Sequence, residues 1–75
     1  MQITYIGIRH IRGWNQDVFS IQHAGETIKA ESQYGTKYTI DLSRKGSPYT
    51  VGFLRLPRRP GKGFVTIQGQ KFNLL

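Results

Sequence analysis

Apolar and polar residues alternate along most of this chain, the two-residue period of strands that bury one face. From Gln2 to Ile8, Ile3 and Tyr5 fall on one face and Ile6 and Ile8 on the other. From Asp17 to His23, Phe19 and Ile21 are in phase. Ala24-Gly25 then reads as a short hairpin turn, since glycine accepts the positive φ that tight turns demand. Glu26 to Glu31 points Ile28 and Ala30 one way and Thr27, Lys29 and Glu31 the other. Thr36 to Leu42 alternates most clearly, with Tyr38, Ile40 and Leu42 inward and Lys37, Thr39 and Asp41 outward. Tyr49 to Leu56 is apolar on both faces, Val51 and Phe53 against Leu54 and Leu56, the pattern of a central strand. Phe64 to Gln68 and Lys71 to Leu75 form a last hairpin around Gly69-Gln70.

Seven short strands with hairpin-length connections predict an all-β domain over residues 1–75. The expected form is a small antiparallel meander that closes into a barrel or a strongly twisted sheet. No stretch carries a helical apolar stripe free of glycine and proline, so no substantial helix is expected. The composition agrees: Ile, Val, Thr, Phe, Tyr and Trp fill 26 of 75 positions, a mix that favours pleated, half-buried surface. The strand pattern resembles small SH3-like or OB-like barrels as a class. It carries no motif diagnostic of either, so the likeness implies a fold and not a function.

Charge changes the picture. Eleven Lys and Arg against four Asp and Glu give a net +7, which points to a polyanionic partner or an acidic protein surface. The excess is uneven: residues 17–41 carry −2, whereas 42–75 carry Arg44, Lys45, Arg55, Arg58, Arg59, Lys62 and Lys71 with no acid at all. Most of these cations fall in the stretches 9–14, 43–48 and 57–63, which read as loops on a rigid sheet, where binding groups are commonly placed. In an up-and-down meander the 9–16 loop, the 32–35 turn and the 57–63 loop share one end, and 43–48 lies at the other. Arg9, Arg12, Arg55, Arg58, Arg59 and Lys62 then converge, with Trp14 and Tyr34 among them. Arginine grips phosphate through forked donors, and an aromatic face stacks on an exposed base for roughly 1–3 kcal/mol. Arg44 and Lys45 add a second basic loop. The ordinary readings stand beside these. A lone indole is commonly a core anchor, Tyr5, Tyr38, Phe19, Phe53, Phe64 and Phe72 are in phase with core aliphatics, and Arg58 and Arg59 also suit a merely soluble loop.

Other chemistries find little support. The carboxylates at 17, 26, 31 and 41 read as solvated charge with cross-strand ion pairs. His10 and His23 lack a carboxylate at ligand spacing, so no metal or other cofactor is expected, and His23 reads as polar filler at a turn. No serine sits in a G-x-S-x-G context, and Gly61-Lys62-Gly63 lacks the rest of a phosphate loop. The expectation is a non-enzymatic protein that binds DNA or RNA mostly through phosphates, with modest sequence preference. The rival is a module docking on an acidic protein surface, which needs an apolar centre inside the cationic rim, such as Ile11, Trp14 and Phe64. Without an apolar leader or a basic amphipathic helix, a cytoplasmic protein with no membrane role is expected. Apolar Phe72, Leu74 and Leu75 in a terminal strand suggest a homodimer through strand edges.

Overall fold

The computed structural model describes residues 1–43, 50–58 and 63–75. Its strands are β1 (Gln2–Ile11), β2 (Trp14–His23), β3 (Thr27–Ser32), β4 (Lys37–Asp41), β5 (Thr50–Pro57), β6 (Phe64–Ile67) and β7 (Gln70–Asn73). All pair antiparallel, and no helix occurs among the described residues. The all-β class and the order of strands match the sequence pattern. Two strands grow longer than expected, because Arg12 (φ 43°) and Gly13 (φ 86°) make a two-residue turn of the kind whose twist suits a hairpin. The 9–16 stretch is therefore two strand ends and a tight turn instead of a loop. The last hairpin turns at Gln68-Gly69 (φ 51° and 79°), one residue before the expected Gly69-Gln70.

A single meander is not what forms. One sheet has the order β1-β2-β5 and the other β4-β3-β6-β7, and no ladder joins them into a closed barrel among the described residues. Ala24-Gly25 is accordingly a corner between sheets and not a hairpin turn. Its backbone groups are satisfied locally: Ala24 N–H donates to Glu26 Oε2 at 2.8 Å, and Gly25 N–H to His23 Nδ1 at 3.1 Å. His23 is buried at this corner, so it serves as an acceptor there and is not surface filler. Two half-apolar sheets bury both inner faces against each other, whereas one open meander leaves its apolar face wet.

Phe19 and Ile21 of β2 and Leu54 and Leu56 of β5 meet Ile28 and Ala30 of β3 and Val65 and Ile67 of β6 in one core. The Phe19 ring lies 5.0 Å from Tyr5 and 5.5 Å, edge-on, from Phe72 of the opposite sheet. β5, expected at the centre, is an edge strand: Leu54 and Leu56 are buried, but Val51 and Phe53 are 64% and 57% exposed.

A bulge in β1 sets which side chains face outward. Ile6 and Gly7 together oppose Val18, with Gly7 at φ 141°, a conformation that side chains resist. The extra residue shifts the phase, so Ile8 pairs with buried Asp17 and not on the face of Ile6, and Arg9 pairs with outward Gln16. Without the bulge Arg9 would point toward the core.

Candidate nucleic-acid interface

The outer face of β1-β2-β5 is built from rows across three strands. Thr4, Ser20 and Phe53 form one row, Gly7, Val18 and Arg55 the next, Arg9, Gln16 and Pro57 a third, and Ile11 and Trp14 close the face at the hairpin tip. Trp14 is 58% exposed and Ile6 55%. Arg9, Arg12 and Arg55 are exposed. A shallow groove of about 520 Å³ crosses the face between Ile6, Arg9, Val18, Phe53 and Arg55.

The opposite surface has another character. Outward positions of β4-β3-β6-β7 hold Lys29, Glu31, Lys37, Asp41 and Lys71 among threonines, with Glu31 directly across from Lys37. The Lys71 ammonium lies 4.5 Å above the Phe64 ring. Glu26 marks the corner leading into this sheet. The Ala24 N–H holds its carboxyl below the usual range, and hydrogen bonds from Ser43 do the same for Asp41, so both stay ionised at neutral pH. Glu31 and Asp41 are thus spent on this side, Glu26 lies at the corner between the sheets beside Gln2 and Gln22, and the fourth carboxylate, Asp17, is buried. Among the described residues, the β1-β2-β5 face carries arginines and no surface carboxylate.

The structure brings several of the expected site residues to one end, by a route other than a meander. β2 pairs directly with β5, Gln16 opposite Pro57, and Arg58 N–H donates to the Asn15 carbonyl at 2.9 Å. The 32–35 turn joins them, since Tyr34 and Gln33 line a crevice with Pro57, Gly63 and Asp17. At about 40 Å³ the crevice has room for water but not for a nucleobase. Tyr34 is 62% exposed beside it. His10 Nδ1 hydrogen-bonds the Asn15 side chain across the hairpin. Arg44, Lys45, Arg59 and Lys62 lie outside the described residues.

Arg58 is drawn inward. Its Nη1 donates to Asp17 Oδ1 at 2.9 Å, with side chains only 9% and 3% exposed, and its Nη2 donates to the Leu75 carbonyl. Tyr5 OH donates to the same Asp17 oxygen at 2.7 Å. Asp17 is therefore not solvated charge but the centre of a contact joining β1, β2, the end of β5 and the segment after β7. Burial, then the hydrogen bond to Asp17, raises the Tyr5 pKa above its ordinary value. A phenol with a raised folded pKa contributes stability that is complete below about pH 10 and is lost as pH climbs through the folded value. The unfolding midpoint in urea is expected to fall above pH 10, and Tyr5→Phe should flatten that fall.

The alternation alone does not mark Phe53, Ile6 and Val51 as surface groups. The one signal lies in β5, where the phase of Leu54 and Leu56 carries no charge, while the other mixes Val51 and Phe53 with Arg55. A buried phase seldom ends in an arginine. No family model, curated protein sequence or solved structure matches this chain.

Proposed function

We propose that this protein binds nucleic acid without catalysing a reaction, using the outer face of β1-β2-β5 and its hairpin tip. The observation that carries this reading is the segregation of charge: Arg9, Arg12 and Arg55 share a face with exposed Trp14 and Phe53, and the surface carboxylates lie elsewhere. Arginine forks suit phosphate, and a face free of acids does not repel a polyanion. The basic residues of 44–45 and 59–62 are proposed to extend the contact. Open sheet edges at β1, β5, β4 and β7 offer a route to a homodimer, proposed alongside it.

The test is anisotropy with labelled oligonucleotides at two salt concentrations. Replacing Arg9 and Arg55 together with alanine should weaken binding about equally for unrelated sequences. It should also flatten log K against log salt by roughly 0.7 to 0.9 for each phosphate no longer neutralised. Replacing Lys29 and Lys37 on the other sheet should change little.

Arg12 gives a second, independent prediction. A type I′ turn favours Asn, Asp or Gly, yet an arginine sits here at φ 43°. Arg12→Asn is expected to raise stability by up to about 1 kcal/mol while weakening nucleic-acid binding. Thermal unfolding and anisotropy on the same variant check both halves.

A docking surface for an acidic protein is the second reading, and one observation favours it. Ile6, Val18, Val51 and Phe53 give the face an apolar centre beside its arginines, the layout of a protein interface with a charged rim.

A further inference from the structure

We infer that the nucleic acid bound on this face is single-stranded, with bases stacked on Phe53 and Trp14 while Arg9 and Arg55 hold its phosphates. This rests on the nucleic-acid reading and narrows it to a substrate class. Both rings are more than half exposed, and they belong to the same side of the sheet. Phe53 lies beside Ser20, six positions along β2 from Trp14, so the rings stand about 20 Å apart along the strand direction at roughly 3.3 Å per residue. Such a span accommodates a run of several nucleotides. Arg55 and Arg9 fall in the rows between these platforms, where the backbone of that run passes. Thr4 and Ser20 supply side-chain donors and acceptors to base edges in the row of Phe53.

A duplex fits this face poorly. Its bases are already stacked on each other, so it presents phosphates to Phe53, Trp14 and Ile6 and leaves those groups with nothing apolar to cover. Sequence-tolerant single-strand binding instead combines a few cations with aromatic platforms, because every base has a flat face. The 40 Å³ crevice beside Tyr34 is too small to take a flipped base.

The experiment uses the full chain. Labelled single strands of thymidylate and of uridylate, and a mixed-sequence duplex of equal length, are titrated in parallel by anisotropy at low and moderate salt. Emission from Trp14, the sole tryptophan, is recorded in the same titrations. The single strands are expected to bind at least about ten-fold tighter than the duplex and to quench Trp14. Phe53→Ala and Trp14→Ala should each weaken single-strand binding roughly five- to hundred-fold, with unfolding midpoints unchanged because both side chains are exposed. Equal or tighter duplex binding, an unquenched Trp14 and a Phe53→Ala variant of full affinity would overturn the single-strand inference and leave the nucleic-acid reading standing. Absence of salt-dependent binding to all three probes overturns that reading as well, in favour of the acidic-protein surface.

Discussion

Alanine in place of Arg58 is expected to cost the fold about 3–5 kcal/mol, because it strands the Asp17 carboxylate in the interior with Tyr5 as its one remaining partner among the described residues. A domain of this size has roughly 4–11 kcal/mol in total, so the variant should sit near its unfolding midpoint or beyond it. Equilibrium denaturation in urea measures the loss directly. Replacing both partners with apolar residues of similar volume, Asp17→Leu with Arg58→Met, should recover much of the stability, since no buried charge is then left alone. A loss below about 1 kcal/mol for Arg58→Ala would mean the pair behaves as a solvated surface bridge. The consequence for function is direct. From its place between prolines in a basic stretch, Arg58 looks removable without harm, yet a binding defect in its variants reports unfolding before it reports a missing grip on phosphate. Arg9 and Arg55 are the cations to change.

Two phenylalanines that look alike in the sequence are expected to behave oppositely. Phe19→Ala should destabilise by about 3–5 kcal/mol, because a fully buried ring is removed and two further rings lose their partner. Phe53→Ala should fall within about 0.5 kcal/mol of the unmodified protein. The pair tests the assignment of inner and outer faces in β2 and β5 without reference to any ligand. Similar losses at both positions would place β5 inside the core, and the proposed stacking platform would disappear with it.

How far the candidate site was legible differs from residue to residue. Trp14, Arg9, Arg12 and Arg55 stood out by residue type and by their place in the charge map. The company they keep did not. The Ile6-Gly7 bulge is one residue of phase, and it alone turns Arg9 outward and Ile8 inward. Nothing in a run of alternating residues announces such a slip except a glycine, which has other uses. The Asp17–Arg58 pair joins positions 41 apart, and each side chain read alone is an ordinary surface charge.

The sequence by itself determined where strands run and which apolar side chains of β2, β3 and β4 face inward, because the two-residue period is a property of the extended backbone and needs no knowledge of neighbours; in β6 it put Phe64 with the core, whereas Val65 and Ile67 are the buried phase. It also determined that the net charge is positive and concentrated late in the chain. Tertiary structure decided which strands pair, that Ala24-Gly25 turns a corner instead of closing a hairpin, that β5 lies at an edge with Phe53 in solvent, and that Arg58 is spent on Asp17. Those outcomes follow from two sheets competing to bury their apolar faces and from one buried carboxylate needing a cation. Both are free-energy balances between residues distant along the chain.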